Sequence, residues 1–395
     1  MKRYELPWYL VNKERMAAAE GSGGSKEVFF GAAGQAGSSA RQSSRKLVRQ
    51  LINWRHWRTS FLRCQAANMV GSMVVNGVAT GVVLTLAVKF VYRYQSGRCT
   101  SKTRLVGKTA IVTGASAGIG KVTARDLAQR GARVILACRN VEKAATVAED
   151  IKKTTGNKDV VVRQVDTSDL TSVRKFAKDI LNTETALHIL VNNAGLNGFD
   201  TKKLTADGLE LTMATNHFGP FLLTNMLLGL LKASGPSRVV NVSSVVYTYG
   251  SSLNVDDLNY EKNKYPGSFI SYSQSKLANI LFTRELAEKL RGTAVTANSL
   301  HPGIVATEMI WKGEARLSNY FFGPLIWFLG KDAELGAQTT SYLAVSDEVN
   351  NVTGKYFVDC KESDISDLAK DAGLAKKLWE ASEQIVKLKP EETHY

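Results

Sequence analysis

The chain has 395 residues, 44% of them hydrophobic, which is ample for a large packed core, and a formal net charge of +15. That charge sits at one end: residues 1–104 carry 17 Lys and Arg against 4 acids, and residues 105–395 carry 34 against 32. With no zinc spacing, RNA-binding signature or basic zipper beside it, the charge argues against nucleic acid as a partner. The scattered Cys64, Cys99, Cys138 and Cys360 suggest neither a disulfide framework nor a metal site and point to a reducing compartment.

In chain order, the first 45 residues are rich in Gly, Ala and Ser and are expected to lack regular structure. RKLVRQLINWRHWRTSFLR follows, where cations interleave with Trp54, Trp57 and Phe61. Such a mix suits membrane lipid headgroups, with rings at the interface and cations on phosphates; the alternative is an unstructured basic linker. Residues 1–63 are thus expected to form a leader. From Cys64 to Val88 no residue is charged. About 20 apolar residues span the ~30 Å of a bilayer core as a helix, so 64–88 is expected to cross a membrane once. Gly77 and Gly81 form a GxxxG, either small residues tolerated in the span or the face of a homodimer. The run starts too deep for a cleaved signal peptide. Arg55, Arg58 and Arg63 precede it and Lys89, Arg93 and Arg98 follow, which leaves topology undecided. The Arg- and Ser-rich stretch after Glu27, without acids, also suits a mitochondrial targeting segment.

From Leu105 to the end, short β-branched runs alternate with amphipathic stretches: TAIVT then IGKVTARDLAQR, ARVILAC, VVVRQV, HILVN, RVVNV and AVTANS, each with a helix after it. This alternation predicts one α/β domain over 105–395, a doubly wound parallel sheet of Rossmann type. The first strand ends in TGASAGIG (Thr113 to Gly120) and a helix starts at once. A Gly-rich turn there lets backbone approach a pyrophosphate at a helix N-terminus, which makes Gly114, Ser116, Gly118, Ile119 and Gly120 candidate cofactor contacts. The spacing is GxxxGxG, not the commoner GxGxxG. Arg139, after the second strand, stands where an acid would select NAD(H). A guanidinium there pairs with a 2′-phosphate and favours NADP(H); the alternative is an ordinary surface residue in a loop.

TGASAGIG, NNAG, NHFG, NVSS, YSQSK and HPG occur in the order and spacing of the short-chain dehydrogenase/reductases, which the chain resembles from about Leu105 to Cys360. ACRN, NHFGPFLLT, SKLANILFTREL, HPGIVATE and GAQTTSYLAV are similar to the membrane-bound retinol dehydrogenase branch in particular. The resemblance implies a catalytic tetrad of Asn216, Ser244, Tyr272 and Lys276. Tyr272 would exchange a proton with the substrate oxygen, and Lys276, one helical turn on, would lower the phenol pKa from about 10 and hold the nicotinamide ribose. Ser244, preferred to Ser243 from its register, would hydrogen-bond that oxygen, and Asn216 would hold a water leading to Lys276. The same resemblance places Asp166 on the adenine edge, Asn193, Ala194 and Gly195 against the adenosine half, and Pro302, Gly303 and Thr307 at the nicotinamide. His301 would shape its loop and not act as the acid.

Between Thr307 and Glu334 the run WKGEARLSNYFFGPLIWFLG, with Trp311, Tyr320, Phe321, Phe322, Leu325, Ile326, Trp327 and Phe328, is too apolar for an ordinary surface loop. A cover over a long apolar aldehyde such as retinal is expected; a segment packed on apolar side chains alone is the alternative. The leader is longer than the family's pattern, and the loop from Val245 to Ser271 is slightly extended. A reductase of steroid or other lipid carbonyls, and a non-catalytic NADPH-binding sensor or scaffold, remain alternatives. The expected location is the endoplasmic reticulum membrane with the catalytic domain toward the cytosol, a mitochondrial membrane being the alternative. Modification of the sequon at Asn351 would instead place the domain in a lumen.

Overall fold

The computed structural model describes residues 36–250, 253–306, 327–328 and 330–395; before residue 52, side chains are described only at 46, 49 and 50. The chain divides into two units, Met1–Gly81 and Val82–Tyr395. Helix α1 (Ala36–Gln95) runs without a break through a stretch that holds no Pro. It therefore begins inside the segment expected to lack regular structure, and extends beyond 64–88 at both ends. Its portion Ile52–Gln95 is the one helix among the described residues long and apolar enough to cross a membrane. At 1.5 Å per residue, 44 residues reach about 66 Å, twice the hydrocarbon thickness of a bilayer. Within the leader, Trp57 stacks on Phe61 with ring centroids 5.3 Å apart, and the Arg58 guanidinium lies 5.2 Å from the Trp54 ring.

The β-branched runs become β1 (Thr109–Thr113), β2 (Arg133–Cys138), β3 (Val160–Gln164), β4 (Ile189–Asn192), β5 (Ser237–Val242), β6 (Val295–His301), β7 (Tyr356–Val358) and β8 (Lys361–Glu362). They form one sheet of order β3-β2-β1-β4-β5-β6-β7-β8, parallel except for the β7–β8 pair. Every residue of β1 and β4 is buried, as expected of a parallel sheet covered on both faces. Alternation along β1 sends Ile111 into one core, and Ala110 and Val112 into the other.

The first core is closed by α4 (Leu170–Thr183), α6 (Gly219–Ala233), α7 (Ser268–Lys289) and α10 (Ala372–Val386); α5 (Leu211–Met213) and α9 (Asp367–Lys370) are short turns. Trp379 of α10 is buried edge-on against Phe221, 4.9 Å between centroids. The second core lies under α2 (Gly118–Gln129), α3 (Val141–Thr155) and α8 (Ala333–Val345). Helix starts follow local chemistry: Asn140, Asp169, Asp332 and Asp371 each accept a hydrogen bond from a backbone N–H of the first turn. Chain order reverses between β1 and β4, opening a crevice beyond their carboxyl ends.

Candidate active site

At that crevice β1 gives way to the turn 114–117 and then to α2. Ala117 stands at the N-cap and makes no side-chain cap, and the first turn holds no acid, so the leading N–H groups of α2 suit an anion. Gly114 has φ +68° and Gly118 φ +55°, backbone that side chains adopt with difficulty. A Cβ on Gly114 would come within 2.9 Å of Ala194 Cα; one on Gly120 would press on the Asn193 amide and come within 2.6 Å of Gly114 O. Thr113 closes the floor: its hydroxyl accepts from the N–H groups of Asn193 and Ala194, both at 3.0 Å, and donates to Val191 O. Asn193 Nδ2 in turn donates to Thr113 O at 2.8 Å. Ser116 hydrogen-bonds the buried Cys138 thiol, and Ile119 is half-buried. Nothing in the spacing of the motif singles out Thr113; its hydroxyl is recognisable as structural only once β1 and β4 are adjacent. The cradle fits the pyrophosphate of a dinucleotide, because backbone lies open where any side chain would fill it.

Farther along the sheet edge, Arg139 follows β2 with its side chain largely exposed, Nη1 lying 3.8 Å from Asp166 Oδ2. Asp166 Oδ1 accepts from the backbone N–H and the hydroxyl of Ser168, which fixes the loop after β3. The two residues expected at the adenosine end are thus brought together.

The second half of the chain supplies the proton-handling groups. The helical segment starting at α5 passes through a π turn, Ala214–Phe218, before α6. Such turns insert a residue and recur at functional sites. This one aims Asn216 at the loop after β4: its Oδ1 accepts from Leu196 N–H at 2.9 Å, and its Nδ2 donates to Leu196 O at 3.0 Å and Ser275 Oγ at 2.9 Å. Ser275, inside YSQSK, was not recognisable as a partner because only the fold brings α7 to the π turn. Gly195 faces both groups; a Cβ there would lie 3.2 Å from Asn216 Oδ1 and 3.5 Å from Lys276 Nζ.

Ser244 hydrogen-bonds the Tyr272 hydroxyl, whereas Ser243 turns inward and donates to Lys276 O at 2.7 Å. The Lys276 ammonium is buried, 5.5 Å from the Tyr272 ring centroid, and donates to Val242 O at 3.0 Å. Burial brings the lysine pKa down to about 8 and pushes the phenol up to about 12, the Ser244 bond pulling it the other way. Ser244, and not the expected Lys276, is the neighbour that pulls the phenol down here; the ammonium points at the end of β5. Behind them, Asn192 Nδ2 donates to Asn241 Oδ1 and Thr224 Oγ1, and Asn241 Nδ2 donates to Thr283 Oγ1. This buried polar lattice pins β4 and β5 to α6 and α7.

After β6, Pro302 is half-buried and Gly303 turns the chain at φ +92°. His301 is buried, its pKa lowered to about 4 by burial and then by the nearby Lys331 charge, so it stays neutral at pH 7 and has no proton to give. Thr307 and the aromatic run after it lie outside the described residues, except Trp327 and Phe328, both exposed. Among the described residues no group of three His, Cys, Asp or Glu could hold a metal.

A glycine cradle at the β1/β4 crevice, with a Ser–Tyr–Lys cluster on the next elements, defines a dehydrogenase of nicotinamide type. The family model for short chain dehydrogenase matches residues 108–256 and 259–317. Retinol dehydrogenase 13 of Homo sapiens is 44% identical over 313 residues, covering 78% of this chain and 94% of that one. Retinol dehydrogenase 11 of Homo sapiens is 46% identical over 289 residues, covering 73% and 88%. A solved short chain dehydrogenase from Burkholderia cenocepacia in complex with NADP superposes with a TM-score of 0.52 at 26% identity, covering 65% of this chain and 97% of that one. The chain belongs to the short-chain dehydrogenase/reductase family, in its retinol dehydrogenase branch, and is an oxidoreductase.

Proposed function

We propose that this chain is a membrane-anchored, NADP(H)-dependent oxidoreductase that interconverts a lipophilic aldehyde and its alcohol, with retinal and retinol as the model pair. The observation that carries this reading is the Ser244–Tyr272–Lys276 cluster, with Gly195 beside its lysine and the Gly114–Gly120 cradle in the same crevice. When bound, the nicotinamide supplies the hydride or receives it. Tyr272 gives its proton to the substrate oxygen, Ser244 donates a hydrogen bond to that oxygen as charge develops, and Lys276 with Asn216 returns a proton toward the phenol. Gly114, Gly118 and Gly120 with the first N–H groups of α2 hold the pyrophosphate, and Asp166, Asn193 and Ala194 hold the adenosine half.

Support for a lipophilic substrate comes from apolar side chains next to the catalytic ones. Val245 and Tyr249 follow Ser244, Phe269 precedes Tyr272 by one turn of α7, and Ile304 follows Gly303; all are exposed. Tyr249 and Phe269 touch, with centroids 5.4 Å apart. The relatives' names give the model substrate, and α1 gives the anchor. Free cysteines fit a domain facing the cytosol, on the endoplasmic reticulum in our reading. The test follows NADPH oxidation at 340 nm by the detergent-solubilised chain with all-trans-retinal, a medium-chain aldehyde and a steroid ketone. Turnover of retinal or the aldehyde is expected; turnover of the steroid alone would replace the substrate, and none at all would remove the retinal-like substrate class from this reading.

Two further outcomes are expected. Arg139→Asp weakens NADPH binding by about tenfold or more and leaves NADH unharmed, since it puts a carboxylate against the 2′-phosphate. Equal losses for both cofactors in a fluorescence titration would remove the phosphate reading. Reductive kcat is level below pH 8 and falls as pH rises through about 8, where Lys276 loses its proton, the phenol staying protonated to about 12. A profile flat to pH 10 would show that the lysine charge is not needed.

A further inference from the structure

Lys331 is a buried cation for which the chemistry above has no use. Its side chain is 1% exposed and ion-paired with Asp359, and its stem occupies the space beside Gly303, where a Cβ would come within 2.7 Å of Lys331 Cδ. Its backbone bridges the same turn: Lys331 N–H donates to Ile304 O at 2.8 Å, and Ala306 N–H donates to Lys331 O at 2.9 Å. The turn's other support is Tyr92, in the last turn of α1. Ile304 N–H donates to the Tyr92 hydroxyl at 3.3 Å, and the Tyr92 ring centroid lies 5.7 Å from Lys331 Nζ. Neighbouring bonds fix the helix end: Arg93 pairs with Asp332 at 2.6 Å, and Gly97 N–H donates to Asp359 Oδ1 at 3.1 Å. Asp359 thus receives the buried ammonium and the chain just past the helix, from a left-handed backbone conformation, φ +51°. A desolvated ammonium is expensive unless paired, so this arrangement tolerates little displacement of any member.

We propose that Tyr92 and Lys331 are positioning residues for the nicotinamide end of the cofactor, clamping the Pro302–Ile304 turn to the C-terminal end of the apolar helix. The inference rests on the reading that this turn receives the nicotinamide. Cofactor grip then depends on residues at the base of the membrane anchor, and neither residue touches the reacting atoms.

The test uses the full chain in detergent micelles and two ligands: NADPH, and adenosine 2′,5′-bisphosphate, which carries the adenosine half without nicotinamide. Tyr92→Phe is expected to weaken NADPH roughly three- to tenfold, the loss of one hydrogen bond, with the bisphosphate unchanged. Lys331→Met is expected to act in the same direction and more strongly; if it does not fold, Tyr92→Phe decides alone. Gly303→Ala serves as the control for the turn itself. Unchanged NADPH affinity in Tyr92→Phe with a loss in Gly303→Ala would sink the clamp and keep the turn. No loss in either would remove the nicotinamide reading of the turn, and the clamp with it. Parallel weakening of both ligands in Tyr92→Phe, with a lowered unfolding temperature, would reduce Tyr92 to a structural role.

Discussion

Tyr272→Phe is expected to lower carbonyl reduction by about a thousandfold or more while leaving NADPH binding within about twofold of the parent. The substitution removes one oxygen from a half-buried ring and leaves the packing of α7 intact. In the proposed mechanism the lost atom is the acid that protonates the substrate oxygen; Ser244 keeps a hydroxyl, but a serine is a poor acid near neutral pH. His301 cannot substitute, since burial and the Lys331 charge keep it neutral. Single-turnover mixing with retinal at saturating NADPH separates binding from chemistry. A variant within tenfold of the parent would assign the proton to another group.

Gly120→Ala carries the second large effect. Its Cβ would meet Gly114 O, a backbone atom that cannot swing aside, and would press on the Asn193 amide. Relief requires the turn to open. That breaks the Asn193 bond to Thr113 O and tilts the first N–H groups of α2 out of the alignment proposed for the pyrophosphate. Overpacking of this kind costs about 1–3 kcal/mol of stability. The loss in NADPH affinity should reach about a hundredfold, because the pyrophosphate loses several aligned donors at once. Calorimetric titration beside a thermal melt reads both; unaltered affinity with a lowered melting temperature would show that the turn is a packing element and not the cradle.

Much of this architecture was legible before any coordinates. Strand and helix alternate with sharp changes of period, so the order TAIVT, ARVILAC, VVVRQV, HILVN, RVVNV and AVTANS translated directly into β1 to β6. The glycine turn, Asn216, Ser244, Tyr272 and Lys276 were readable as candidates because short motifs mark them. Less legible were residues whose role depends on distant neighbours. Ser275 meets Asn216 across 59 positions, and Lys276 finds Val242 O only because β5 ends beneath α7. Tuning was less legible for the same reason: spacing placed a cation one turn from a phenol but could not show how far both are desolvated. Lys331 and Tyr92 are separated by more than two hundred residues, and neither lies in a periodic pattern that would mark it. The start of α1 was misjudged on composition, since Gly, Ala and Ser read as disorder although no Pro breaks the helix that runs through 36–45.

The π turn at 214–218 bears on how lineages of this chain can change. Ordinary insertions and deletions are absorbed in loops, where the flanking elements keep their phase. Here the extra residue lies within one continuous helical run from Leu211 to Ala233. Losing it would rotate everything on one side by roughly 100° relative to the other. Asn216 would leave Leu196, or the faces of Phe221 and Leu227 would leave the core, and no single substitution could restore both. A substitution at these positions keeps the phase of the run; a deletion does not.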